Sequence, residues 1–234
     1  MPPVITVFAD APDRGRGLAR DLPVRWAFEE LGQPYEVRLV HLEDMRQPRH
    51  RALHPFGQIP VLEDGELVLF ESGAIVLHLA QRYDGLLPQA PIARARAIMW
   101  MFTALNTIEP VVLQREVAGH EESGEPWHEA RAPYLEGGIR RRLVDLARHL
   151  GTRDWLEGTF SAGDLLMVQV LRRLSDSELL AEQPRLEAYV RRAEARPAFR
   201  RAFAAQRETF LRSRRDPARG QPAPDADGTE RPSR

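Results

Sequence analysis

An α/β domain followed by an all-α domain is the architecture that this 234-residue sequence predicts. Three observations carry the expectation. Up to Tyr83, short apolar runs and helical patterns follow one another as strand, helix, strand, helix, strand, strand, helix. A breaker-rich segment, "DGLLPQAP" at 84–91, then interrupts the pattern and reads as a linker. From Ile92 to about Leu211 the sequence is helix-forming and contains no strand signal.

Each element has a local reason. Val4 to Phe8 is a continuous apolar run of strand length, and a loop of Gly, Arg, Pro and Asp occupies Ala9 to Arg20. A helix is expected from Asp21, a good N-cap residue, with Pro23 tolerated in its first turn and Gly32 ending it. Tyr35 to Val40 alternates apolar and polar as a half-buried strand does, and Arg49 to Leu53 is read as a short helix. Ile59 to Leu62 and Leu67 to Phe70 are two strands joined by Glu63-Asp64-Gly65-Glu66, where Asp-Gly suits the positive φ of a tight turn. After Ser72, the residues Ile75, Val76, Leu79 and Tyr83 recur at helical spacing. In the helical half, Pro110 is expected to kink or end a long helix, and Pro184 and Pro197 suit first turns. Ser161 and Asp164 have the spacing of a capping box, with Phe160 and Leu165 placed as its staple. Residues 213–234, rich in Pro, Gly, Asp and Arg, are expected to be disordered.

Composition narrows the chemistry. With 33 basic against 34 acidic residues, no global charge draws the chain to nucleic acid or an anionic membrane. Cysteine is absent, which excludes disulfides, thiolate metal sites and a cysteine nucleophile. The N-terminus lacks the charged start and long apolar stretch of a signal peptide, and no later run is long enough to span a bilayer. A cytoplasmic location is the expectation. His50 and His54 have the i,i+4 spacing of a metal pair, but Pro55 follows at once and no third ligand is apparent, so both are read as solvent-facing and no metal is expected.

"FGQIPVLEDGELVLFESGAI", from Phe56 to Ile75, holds two features that folding alone explains poorly: Pro60 opening an apolar strand, and Glu71-Ser72 between a strand and a helix. Together, "HPFGQIPVLEDG", "FESGAI" and "FSAGDLL" resemble the glutathione transferase family, over roughly residues 4 to 212. The resemblance implies a thioredoxin-like glutathione-binding domain with a mixed four-stranded sheet over 1–83, and a linker at 84–91. A helical substrate domain over 92–212 and the tail complete the implied organisation.

It also implies a site. Gln58, Ile59 and a cis Pro60 would meet the cysteinyl unit of glutathione, with Ile59 offering backbone N–H and C=O as in strand addition. Ser72, at a helix N-terminus, would take the γ-glutamyl carboxylate, Glu71 its ammonium, and Asn106 would reach glutathione from the helical domain. Trp100 and Phe102 would wall a pocket for a small apolar electrophile or disulfide, and the subunits would pair as homodimers. One departure stands out. The loop "ADAPDRGRGLARD" carries none of the Tyr, Ser or Cys that family members place there, so backbone donors near Asp21 and the arginines Arg14, Arg16 and Arg20 become the candidates for stabilising the glutathione thiolate. Two classes of function follow. One is a glutathione transferase-like enzyme, acting by conjugation or by disulfide reduction; the other is a non-catalytic glutathione-binding or protein-interaction module of the same fold.

Overall fold

The computed structural model describes residues 1–215. Its sheet is built from β1 (Val4–Phe8), β2 (Glu36–Val40), β3 (Val61–Asp64) and β4 (Leu67–Phe70), in the order β2-β1-β3-β4. β1 and β2 run parallel with Val4 opposite Glu36, while β3 is antiparallel to both β1 and β4, so the sheet is mixed. The β3–β4 hairpin closes on Gly65 and Glu66, and Gly65 takes the positive φ of 63° that the turn demands. α1 (Asp21–Glu30), α2 (Pro48–Arg51) and α3 (Ser72–Arg82) complete this domain, whose mixed four-stranded sheet matches the thioredoxin-like expectation.

The sheet corrects two expectations. β2 is an edge strand, and Glu36, Val37, Arg38 and Leu39 are all exposed, so the alternation of this segment does not mark a buried face. β3 begins at Val61 and not at Ile59: Pro60 has no N–H to give to the ladder, and the first pairing with β4 is Val61 opposite Phe70. Val61 N–H donates to the buried hydroxyl of Thr6 at 2.7 Å, which ties β3 to β1.

Beyond the sheet come α4 (Pro91–Thr103), α5 (Glu109–Glu121), α6 (His128–Leu150), α7 (Ala162–Leu171), α8 (Glu178–Ala181), α9 (Pro184–Glu194) and α10 (Pro197–Arg215). Between α4 and α5 a π-helical turn, Ala104–Ile108, stands just ahead of Pro110, where a break was expected. Pro184 and Pro197 open α9 and α10. α10 runs on to Arg215, past the boundary read from composition; the rest of the expected disordered tail, 216–234, lies outside the described residues.

α7 is the central post. All ten of its residues are buried, as befits a helix apolar on nearly every side. Its start is the capping box formed by Ser161 and Asp164. Asp164 also accepts from Leu156 N–H and Tyr189 O–H, both at 2.9 Å, and so gathers the α6–α7 loop and α9 around one carboxylate. α1 packs between the sheet and α10. Trp26 and Phe28 are fully buried, and Trp26 meets Phe199 edge-on at 5.0 Å. Burying an aromatic side chain of this kind contributes about 1.5–3 kcal/mol. Asp21 is a further correction. It is the first helical residue while Arg20 occupies the cap position, and its buried carboxylate pairs with Arg25 and Gln206 instead of capping.

Candidate functional site

A cleft of about 640 Å³ lies where the thioredoxin-like domain faces the start of the helical one. Its volume falls within the range of small-molecule sites, roughly 300–1,000 Å³. One wall comes from the segment that leads into β3. Gln58 and Ile59 line it, and among the described residues neither the N–H nor the C=O of Ile59 has a hydrogen-bond partner. Ile59 is 6% exposed, so an unpaired edge of backbone borders the cleft at a nearly buried position. Pro60 does not line the cleft, and the Ile59–Pro60 bond is cis.

The next part of that wall is the start of α3. Ser72 is its first residue and is buried; Glu71 holds the N-cap position with φ 70° and ψ 114°, and makes no side-chain capping bond. Ser72 is thus the first residue inside the helix, and Glu71 stands at its cap. A non-glycine residue at positive φ is uncommon and strained, and such residues concentrate at functional sites. Here the strained residue presents an exposed carboxylate to the cleft, beside a helix N-terminus that favours anions.

The opposite wall is α4 and the π-turn, with Met101, Phe102, Leu105 and Asn106 facing in. Leu105 lies so close to α3 that a Cβ on Gly73 would meet its Cδ1 at 2.4 Å. Glycine at 73 therefore lets the two walls touch directly behind Ser72. Phe102 is 56% exposed in the cleft. Trp100 does not join it. Residues two apart on a helix point in opposite directions, and Trp100 turns inward, donating to Glu157 at 2.8 Å and packing on His149 at 4.4 Å.

The three loop arginines separate as well. Arg20 lines the cleft and pairs there with Glu109 at 2.9 Å, a carboxylate only 6% exposed. Arg16 pairs with Asp176 away from the cleft, and Arg14, at φ 56°, is exposed outside it. The loop is pinned from within by Asp13, which accepts from the N–H groups of Gly15, Leu18 and Ala19 and so occupies backbone donors ahead of α1. From behind, Arg172 and Gln169 bind the carbonyl of Gly17, and Arg173 that of Leu18. Among the described residues lining the cleft, the one hydroxyl is that of Ser72.

Sequence reasoning missed two histidines. His50 and His54 are buried, not solvent-facing, at 4% and 2% exposure. His50 Nε2 meets the Gln58 carbonyl at 2.7 Å and so braces the wall. The His54 ring lines the cleft, and burial holds its pKa below the ordinary imidazole value, with the Glu71 carboxylate acting in the opposite sense. The i,i+4 spacing was visible, but only the packed α2–β3 connection puts both rings inside. No group of three metal-ligating side chains occurs among the described residues.

A model of the glutathione S-transferase N-terminal domain matches residues 23–87. Glutathione S-transferase 4 of Zea mays is 30% identical over 186 residues, covering 74% of this chain and 82% of the relative. The chain belongs to the glutathione transferase family. Glutathione S-transferase F14 of Arabidopsis thaliana is 31% identical over 160 residues, 63% of each chain. Among solved structures, this glutathione transferase family member is similar to one from Burkholderia graminis with two glutathione molecules bound per subunit, at a TM-score of 0.75 and 26% identity. That alignment covers 86% of this chain and 87% of the other. A family member from Pseudomonas fluorescens pf-5, also with two glutathione bound, aligns at a TM-score of 0.73 and 27% identity, over 86% of this chain and 92% of its own. No helix among the described residues is long and apolar enough to cross a membrane.

Proposed function

We propose that this chain binds glutathione in the interdomain cleft and promotes attack of its thiolate on a small electrophile, with Arg20 in place of a hydroxyl or thiol. The observation that carries the reading is that Arg20 is the one arginine among the described residues of a cleft whose other wall holds Ile59, Glu71 and Ser72. The unpaired N–H and C=O of Ile59 match the backbone of an extended peptide. Glu71 takes the γ-glutamyl ammonium, Ser72 and the α3 N-terminus its carboxylate, Gln58 flanks the peptide, and Asn106 reaches over from the π-turn. A guanidinium near the sulfur favours the thiolate over the thiol, the form that attacks. Met101, Phe102 and Leu105 offer the electrophile an apolar wall.

The same site suits disulfide reduction, a reading favoured by the two similar structures with two glutathione molecules bound. One glutathione sulfur attacks the disulfide and expels a thiol; a second attacks the resulting mixed disulfide, releasing the other thiol and glutathione disulfide. No protein cysteine is needed, and the chain has none. Absence of turnover with chloronitrobenzenes, hydroperoxides and hydroxyethyl disulfide, with glutathione still bound, would instead favour the binding or interaction module.

The ultraviolet thiolate absorbance of the complex against pH tests the role of Arg20. Bound glutathione is expected to titrate at least about one unit below its free thiol pKa, near 8.5, equivalent to about 1.4 kcal/mol of thiolate preference. Arg20→Ala should raise that value and slow turnover while leaving affinity largely intact; Arg14→Ala and Arg16→Ala should do neither. An unshifted titration in the wild-type protein refutes the enzyme reading. For assembly, a two-fold homodimer is the proposal, and light scattering at micromolar concentration that reports a single chain mass would refute it.

A further inference from the structure

Arg20 is held at both ends. Its backbone stands at the N-cap position of α1, and its guanidinium, on a side chain 38% exposed, donates from Nη1 to Glu109 Oε2 at 2.9 Å. Among the described residues this is the one hydrogen bond that the guanidinium makes, so its other N–H groups stay free for a ligand. Glu109 is buried and is the first residue of α5, where the positive end of the helix favours a carboxylate.

Behind Glu109 lies Arg173. Its Nε faces the second carboxylate oxygen, Oε1, at 3.9 Å, while its Nη2 donates to the carbonyl of Leu18, two residues before Arg20, at 2.8 Å. The contacts close a ring, from the Arg20 guanidinium to Glu109, on to Arg173, to Leu18 and back along the chain to Arg20. Leu18, Arg20, Glu109 and Arg173 all line a cavity of about 10 Å³, space for about one water molecule. The guanidinium therefore has no room to swing back inside the ring. A lone carboxylate beside Arg20 would cancel the charge that a thiolate needs, but Arg173 shares this one. Glu116, which balances Arg173 from its other side at 2.7 Å, is partly exposed and its charge is screened by solvent.

We infer that Glu109 is a positioning residue: braced by Arg173, it holds the Arg20 guanidinium where its free N–H groups meet the sulfur of bound glutathione. The inference rests on the reading of Arg20 as the group that favours the thiolate, and deepens it. Without the tether, Arg20 is a long side chain at the cleft wall that gains rotamer freedom by turning to solvent, where its charge is screened from the sulfur.

The test is a cycle of variants saturated with glutathione, read by the ultraviolet thiolate absorbance of the complex against pH, with calorimetric affinities and denaturation midpoints measured alongside. His54 and Glu71, the other titratable side chains lining the cleft, are common to every variant. Arg20→Ala should raise the pKa of the bound thiol, and Glu109→Ala should reproduce at least about half of that rise with little change in affinity. Glu109→Gln, which keeps an acceptor for the guanidinium, should stay nearer to wild type. In the Arg20→Ala background, Glu109→Ala should raise the pKa no further. Three outcomes overturn the inference while leaving the role of Arg20 in place: a Glu109→Ala complex that titrates at or below the wild-type value, equal rises with and without Arg20, or a Gln variant no better than the Ala one. A fall in stability or affinity with the thiol pKa unmoved shows a merely structural role and overturns it too. An unshifted wild-type titration, or an Arg20→Ala titration identical to wild type, refutes the reading of Arg20 and the inference with it. Should Glu109→Ala not fold, Glu109→Leu, which fills the space, takes its place in the same cycle.

Discussion

Replacing Glu71 by glycine should move stability and ligand affinity in opposite directions. The backbone at Glu71 has φ 70° and ψ 114°, a sparsely populated region that costs an L-residue roughly 1–3 kcal/mol. Glycine is free of that penalty, but its looser unfolded chain takes back about 0.5–1 kcal/mol. The net change lies between about zero and 2.5 kcal/mol in favour of the variant. Nothing in the fold offsets this, because the Glu71 carboxylate has no hydrogen bond or ion pair among the described residues. Binding is another matter: a hydrogen bond to a charged group contributes about 1.5–3 kcal/mol, so glutathione affinity should fall roughly ten- to 150-fold. Calorimetric titration measures the second quantity and chemical denaturation the first. Glu71→Gln serves as the control, since it keeps the strained φ and loses only the charge. Wild-type affinity in Glu71→Gly would refute the ammonium assignment. A stability loss above about 1 kcal/mol would show that the carboxylate serves the fold, against the accounting above.

Two further outcomes follow from the same walls. Gly73→Ala drives a Cβ to 2.4 Å from Leu105 Cδ1, the end of a half-buried side chain that borders the open cleft, so Leu105 should turn aside at a cost of about 0.5–1.5 kcal/mol of stability. Adding Leu105→Ala should recover much of that loss, and strictly additive denaturation energies would show that the two side chains do not collide. The folded-state pKa of His54 is depressed by burial, so its contribution to stability is present above the unfolded value near 6.5 and is lost as pH falls through the folded one. Denaturation midpoints of wild-type protein should therefore fall more steeply than those of His54→Phe as the solution is acidified through that window, and parallel curves would refute the burial argument.

Much of the backbone was legible because its signals are local. β1 spans Val4 to Phe8 as read, since a short run that is apolar except for Thr6 is of strand length and is buried through its middle. Gly65 sits in its turn, Ser161 and Asp164 close their box, and Pro184 and Pro197 open their helices. Each of these depends on the φ preference or hydrogen-bonding reach of one or two neighbouring residues. Local chemistry also placed Glu71 and Ser72 at the junction of β4 and α3, although not which of them would hold the cap.

What the sequence could not state was which surface each side chain would meet. The alternation of β2 is that of a half-buried strand, yet its place at the sheet edge leaves Val37 and Leu39 exposed. Trp100 and Phe102 were read as one wall, but a two-residue step around α4 sends them to opposite sides. Arg14, Arg16 and Arg20 are equivalent as letters; only the docking of α5 brings Glu109 under Arg20, while Asp176 takes Arg16. His54 is the sharpest case, because burial of an imidazole between Phe70 and the cleft depends on how the α2–β3 connection packs against β4. Composition and spacing determine which elements form, since those are decided within a few residues. Exposure, pairing and the walls of the cleft belong to the tertiary structure, because each is set by residues tens of positions away in the chain.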